Sequence, residues 1–176
     1  MEIKRIVTGT LDENCYVLIK DGECLVVDPG ADYNNIREAV GDNKVLGVLI
    51  THSHFDHIGA LRNFLTKRSI KIFKKSNLEE KEYSIGGFKF ECLYTPGHSK
   101  DSVTFYFKED QAMFVGDFVF QDSIGRCDLP GGSISEMEDS IKKLLMFNEN
   151  VALYTGHGEI TTLDIEKNSN PYLNNK

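Results

Sequence analysis

The sequence predicts an α+β chain, with a core of two sheets and helices outside. Three observations carry this. Residues 45–50 are nearly all apolar, as expected for a strand covered on both faces. Ser133 with Glu136 three residues on is a capping-box signature, and Ile134, Met137, Ile141, Leu144 and Leu145 then mark one helical face. Strand-like segments lie on both sides of helical ones, mixed rather than strictly alternating. A two-sheet core fits that mixture, although periodicity alone does not choose the architecture.

The elements follow in order. Residues 3–7 and 15–19 are β-branched or apolar runs bounded by Gly9-Thr10 and Asp21-Gly22, and read as strands. Residues 24–27 form another, stopped by the turn signal Asp28-Pro29-Gly30. Residues 34–40 fit a short helix, with Ile36, Ala39 and Val40 on one face. After the strand at 45–50 comes a polar cluster, 51–57. Ile58, Leu61, Phe64 and Leu65 then fall at helical spacing, which predicts a helix starting right after it. Phe88, Phe90 and Cys92 alternate with polar residues behind Gly86-Gly87, as in a paired strand. Residues 103–107 and 112–115 predict two strands, and 151–154 a last one ending at Gly156-His157-Gly158. The polar tail 168–176 is the one stretch that reads as loose.

The chain has 176 residues, enough for a sizeable core, and reads as a single domain over 1–176. Its net charge of −7 argues against nonspecific binding to nucleic acid or an anionic membrane. No segment approaches the ~20 apolar residues of a membrane helix, and the first residues carry no export-signal pattern. Cys15, Cys24, Cys92 and Cys127 show no C-x-x-C spacing and read as reduced, mostly buried thiols. These features predict a cytoplasmic protein with no nucleic-acid and no membrane partner.

The five histidines carry the chemistry. His52-Ser53-His54-Phe55-Asp56-His57 places four potential metal ligands in six residues, between a buried strand and a helix. In an extended segment, residues two apart point the same way, so His52 and His54 can share one target. A turn toward the helix lets Asp56 and His57 aim at a neighbouring point. His98, Asp117 and His157 each follow a strand in a turn-like, glycine-bearing setting. Loops at strand ends can converge on one edge of a sandwich. A lone histidine is more often a satisfied core or surface residue, and a fully solvated loop would leave these side chains without a metal. Burying three imidazoles and a carboxylate together without one would cost ~1–3 kcal/mol per unmet group. Taken jointly, all five histidines fit ligand positions.

Thr51-His52-Ser53-His54-Phe55-Asp56-His57, Pro96-Gly97-His98, Gly116-Asp117 and Gly156-His157-Gly158 resemble, in this order, the motifs of the metallo-β-lactamase superfamily. Val27-Asp28-Pro29-Gly30 and Asn170-Pro171-Tyr172-Leu173 extend the resemblance over almost the whole chain. Within the superfamily it looks most like the single-domain glyoxalase II-like hydrolases. Ser123-Ile124-Gly125-Arg126-Cys127-Asp128 is similar to the G-R-x-D stretch of that branch and of the persulfide dioxygenases. The resemblance implies a four-layer αββα sandwich of two mixed sheets, with metals at one edge. It implies that His52, His54 and His98 hold a first metal, that Asp56, His57 and His157 hold a second, and that Asp117 bridges both.

The implied function is a metal-dependent hydrolase that cleaves a small acyl-thioester, of hydroxyacylglutathione type, with a metal-bridging hydroxide. The donor set suits two divalent ions, zinc first, with iron or manganese also fitting. Asp56 and Asp117 are the carboxylates placed at the reaction centre. Asp56 reads as a ligand more than as a base, since coordination depresses its basicity. Asp28 and Thr51 fit either orientation of ligand imidazoles or, for Asp28, a turn. Arg126 with Asp128 fits an ion pair shaping the loop, or a contact to an anionic substrate. Cys127 reads as a packed side chain, with Arg126 close enough in sequence to lower its pKa.

The resemblance carries the hydrolytic core over better than glutathione specificity: the chain stops shortly after His157 and lacks an obvious Lys-rich or Tyr-bearing glutathione stretch after Asp117. Zinc β-lactamases commonly have cysteine where Asp117 stands, and the flavodiiron branch typically has glutamate where His54 stands. The RNA-processing branch fits neither the length nor the charge. A mononuclear iron persulfide dioxygenase using His52, His98 and Asp117 is the alternative, and a lactonase is another. A non-catalytic metal module, with every metal position filled by protein, is the reading from a different class.

Overall fold

The computed structural model describes residues 1–65, 70–148 and 150–174. The first sheet has five strands, hydrogen-bonded in chain order: β1 (Glu2–Thr8), β2 (Glu13–Lys20), β3 (Glu23–Val27), β4 (Lys44–Leu49) and β5 (Lys71–Phe73). β1, β2 and β3 form an antiparallel meander, whereas β3, β4 and β5 run parallel. A parallel step needs a crossover, and α1 (Tyr33–Val40) supplies the one between β3 and β4.

The second sheet opens with three antiparallel steps through β6 (Glu82–Ile85), β7 (Phe88–Tyr94), β8 (Val103–Phe107) and β9 (Ala112–Gly116). A small hairpin, β10 (Val119–Phe120) with β11 (Ser123–Ile124), then leaves the sheet. The helix α4 (Ile134–Leu145) carries the chain back, so that β12 (Ala152–Thr155) lies parallel to β9. β13 (Thr161–Thr162) closes the order β13-β12-β9-β8-β7-β6, and α5 (Leu163–Ser169) follows.

Side-chain alternation sorts these strands into layers. Tyr16 and Leu18 of β2 face the second sheet, packing with Leu25 and Leu49 against Phe88, Phe90, Phe105, Phe107 and Phe114. Cys15 and Val17 face the other way, toward Ile36 and Val40 of α1. On the far side, Met113, Val115 and Leu153 pack on Met137, Ile141 and Leu144 of α4. The result is helix, sheet, sheet, helix, as the resemblance implies. The strands at 3–7, 15–19, 24–27, 45–50, 88–92, 103–107, 112–115 and 151–154 form within a residue or two of their expected places. Ser133 caps α4, its Oγ accepting from the Glu136 N–H at 3.3 Å.

Two expectations are corrected. The helix expected after His57 begins inside the polar cluster, as the single turn α2 (Phe55–Ile58), and breaks before a second turn, α3 (Leu61–Phe64). The break falls where the Ala60 N–H leaves the helix to donate to Pro29 O at 2.9 Å. The tail is not loose over its described part. Residues 168 and 169 end α5, Asn170 and Leu173 are buried, and Asn170 Nδ2 donates to Ser123 O and Glu166 Oε2. A side-chain amide facing carbonyls gives a polar segment a fixed place. Asn175 and Lys176 lie outside the described residues. Among the described residues, no helix is long and apolar enough to cross a membrane.

Candidate metal centre

The site lies where strands of both sheets end. Parallel pairing brings the C-terminal ends of β3 and β4 to one edge, and those of β9 and β12 to the same edge. Two backbone bonds tie the sheets together there: Val103 N to Thr51 O, 2.8 Å, and Asn14 N to Gly156 O, 2.7 Å. All seven residues singled out in the sequence meet at this edge.

They form two groups. His52 Nε2, His54 Nδ1 and His98 Nε2 converge, with His54 Nδ1 lying 3.1 Å from the first nitrogen and 2.9 Å from the last. Asp56, His57 and His157 form the second group, with His157 Nε2 3.3 Å from Asp56 Oδ2. Asp117 stands between the groups. Its Oδ1 is 3.3 Å from His57 Nε2, and its Oδ2 is 3.4 Å from His98 Nε2 and 3.7 Å from His157 Nε2. The approach needs glycine at 156, where a Cβ would stand 2.2 Å from Asp117 Oδ1 and 2.8 Å from His57 Cε1.

The outer nitrogens of the rings are held by hydrogen bonds, which decides what the inner nitrogens carry. His98 Nδ1–H donates to Arg126 O at 2.8 Å, and His157 Nδ1–H to Leu11 O at 3.0 Å. Asp28 is buried and accepts three times: from Thr51 N (2.7 Å), Thr51 Oγ1 (2.5 Å) and His57 Nδ1 (3.0 Å). Because Thr51 gives its only hydroxyl proton to Asp28, it accepts from His52 Nδ1–H at 3.1 Å. These tautomers are assigned from the network. In the neutral ring, Nε2 of His52, His98, His57 and His157 is thereby left as a lone pair facing the site.

A cation fits this arrangement. Lone pairs of His52 and His98 both approach His54 Nδ1, which has at most one proton to share between them. His57 Nε2 and Asp117 Oδ1 are buried 3.3 Å apart with no hydrogen bond made by either. Each unmet group costs ~1–3 kcal/mol when buried, and a metal would satisfy all of them at once. Without a cation the electrostatics are those of a site under tension. Burial, with His57 adding, pushes His52 down to about 2. Burial and His98 also lower His54. Burial opposes charge on His57, but Asp117 and Asp28 outweigh it and hold the imidazole well above its usual value. Burial likewise opposes charge on Asp117, but neighbouring His57 holds that carboxyl below the usual range.

Asp28 thus does both things its sequence suggested: it adopts a left-handed φ of 46° in its turn and orients His57. Asp28 with His52 and His57 also forms a compact trio, but the Asp28 carboxylate is already taken up by three donors. Arg126 is exposed and pairs with Asp128 through two bonds of 2.7 Å, while its backbone carbonyl orients His98. Cys127 is not activated by it: burial raises that thiol.

Sequence reasoning missed Glu13. Its side chain is buried, with Oε2 accepting from Thr8 Oγ1 at 2.6 Å and Oε1 3.9 Å from His57 Nδ1. Burial, with Asp28 adding, pushes it up to about 9, so it is a neutral acid near neutral pH. The available signal was a glutamate opening an otherwise apolar strand. The Leu11 carbonyl, a backbone atom, left no signal.

The sequence model of the metallo-beta-lactamase superfamily matches residues 8–81 and 76–157. The chain belongs to this superfamily. A metallo-β-lactamase-fold chain with this His/Asp cluster points to a dinuclear metal site. The chain is 34% identical to "Probable metallo-hydrolase YqgX" of Bacillus subtilis (strain 168), over 99% of this chain and 98% of that one. It is 29% identical to "Hydroxyacylglutathione hydrolase GloC" of Haemophilus influenzae, over the full length of both. Among solved structures, the BLEG-1 B3 metallo-beta-lactamase superposes with a TM-score of 0.91 at 33% identity, covering 98% of this chain and 100% of that one. These relatives support a metallo-hydrolase acting on a small molecule.

Proposed function

We propose that the chain, acting as one catalytic unit over 1–176, is a two-metal hydrolase that cleaves a small acyl-thioester of hydroxyacylglutathione type. The observation that carries this reading is the Asp117 carboxylate standing between the two trios, with Oδ2 3.4 Å from His98 Nε2 and Oδ1 3.3 Å from His57 Nε2. In it, His52, His54 and His98 hold one divalent ion, Asp56, His57 and His157 the other, and Asp117 both. Zinc is the proposed ion, and iron or manganese suits the same nitrogen and oxygen donors. Ions held there supply Lewis acidity and lower the pKa of a bound water from 15.7 to about 7.

The chain's own residues set up the rest. Asp28, Thr51 and the carbonyls of Leu11 and Arg126 fix the ring orientations, so the donors are preorganised. Asp56 and Asp117 bring the negative charge that two cations require. A thiolate leaving group, with a pKa near ~8.5, needs little help from an acid. This agrees with a site whose imidazoles His52 and His54 are held neutral. The hydroxyacylglutathione name of one relative supports the thioester class.

The test is a panel of thioesters, lactones, persulfides and a β-lactam, run on protein of known metal content. Two metals per chain with thioester hydrolysis, lost in His52→Ala and Asp117→Ala, is the expected result. Equal hydrolysis by wild type and both variants would overturn the reading. One iron per chain, with oxygen uptake and sulfite release, would replace it with the persulfide dioxygenase.

A further inference from the structure

The first trio is assembled from two separate pieces of chain. His52 and His54 lie on the extended strap that follows β4 of the first sheet, and His98 lies on the loop between β7 and β8 of the second. Between the two histidines of the strap stands Ser53. In an extended segment it points away from the side that His52 and His54 share. Its hydroxyl donates to Asp101 Oδ2 at 2.6 Å. Asp101 sits three residues beyond His98, and its other carboxylate oxygen accepts from Ser99 Oγ, the residue next to His98. One side chain therefore grips a neighbour of His98 with one oxygen and the residue between His52 and His54 with the other. A backbone bond, Val103 N to Thr51 O, also joins the two pieces, and Asp101 adds a side-chain tie at the residues beside the histidines.

We propose that Asp101 is a positioning residue that staples the His52–His54 strap to the His98 loop and so sets the geometry of the first trio alone. This rests on the two-metal reading above. The second trio has its own supports, Asp28 behind His57 and the Leu11 carbonyl behind His157, and neither touches Asp101. Burial opposes charge on Asp101, but the Ser53 and Ser99 hydroxyls outweigh it, with His54 adding. The carboxyl is thus held below its usual range, in the charged form that accepts both bonds.

The test is titration of metal-stripped full-length protein with Co²⁺, read by visible absorption and by calorimetry, on wild type, Asp101→Ala, Asp101→Asn and Ser53→Ala. His54→Ala and His157→Ala assign each binding phase to its trio. Loss of an outer hydrogen-bond partner of a metal site typically lowers affinity about 10- to 100-fold. Asp101→Ala is expected to weaken the His54-dependent phase by about that factor and to alter its spectrum, with the His157-dependent phase unchanged. Ser53→Ala should follow it. Asp101→Asn, which keeps an acceptor for Ser53, should recover part of the loss. Unchanged affinity in Asp101→Ala would overturn the staple alone. Equal weakening of both phases, with a lowered melting temperature, would overturn it too, as a merely structural role. Uptake of no metal by wild type would overturn both the staple and the two-metal reading.

Discussion

Asp28→Asn is the sharpest probe of how the second trio is held. The substitution is nearly isosteric and leaves the turn backbone in place. Asp28 accepts through Oδ1 from Thr51 N and through Oδ2 from Thr51 Oγ1 and His57 Nδ1. If the amide oxygen stays on Thr51 N–H, the new NH₂ faces His57 Nδ1. Two donors then meet, and His57 relieves the clash by moving its proton to Nε2, the nitrogen that faces Asp56 and Asp117. That proton occupies the lone pair a metal needs. Loss of such an orienting partner costs about 10- to 100-fold in metal affinity, or about 1.4–2.8 kcal/mol at 1.4 kcal/mol per tenfold. The assay is Zn²⁺ competition against a chromophoric chelator. The equivalent held by Asp56, His57 and His157 should weaken by that factor, and the one held by His52, His54 and His98 by less, because Asp28 reaches His52 only through the Thr51 hydroxyl. Both equivalents within twofold of wild type would refute the orienting role.

Other expectations follow from the same contacts. In chelator-treated protein, stability should fall as pH rises from about 6.5 to about 9. In that window Glu13, raised to about 9, and His57, also raised, keep protons that the unfolded chain releases. Glu13→Gln should flatten that slope in urea melts at several pH values, and an unchanged slope would contradict it. Phe90→Ala removes a ring buried between the sheets against Phe73, Phe105 and Phe107. It should cost ~3–5 kcal/mol by equilibrium unfolding. Asn170→Ala leaves Glu166 Oε2 and the Ser123 carbonyl short of a donor. A loss of ~1–3 kcal/mol in the same melts is expected, whereas a loose tail would show none.

Local patterns were legible wherever a single period or a ligand type dominated. The strand at 45–50 and the capped helix from Ser133 came from period and cap, because burial on two faces and an amphipathic stripe each leave a mark in the sequence. The site's seven residues were legible because imidazoles and carboxylates cluster at strand ends for few other reasons. The order of the strands was not, since pairing such as β12 beside β9 depends on a crossover that spans α4. The hairpin of β10 and β11 and the two-residue β13 are too short to show a period. The helix break at Gly59-Ala60 escaped because its cause, a bond to Pro29 O, lies far along the chain. Glu13 and Asp101 escaped for the same reason. Their partners, His57 and Ser53, are 44 and 48 residues away, and neither carboxylate sits in a ligand pattern.

The proposed function stands on two ions sharing Asp117. Anomalous diffraction from crystals of the zinc-loaded protein, collected on both sides of the zinc edge, tests it most directly. Two peaks are expected, one among His52, His54 and His98 and one among Asp56, His57 and His157, with the Asp117 carboxylate contacting both. A single peak among His52, His98 and Asp117, or ions bound elsewhere, would contradict it.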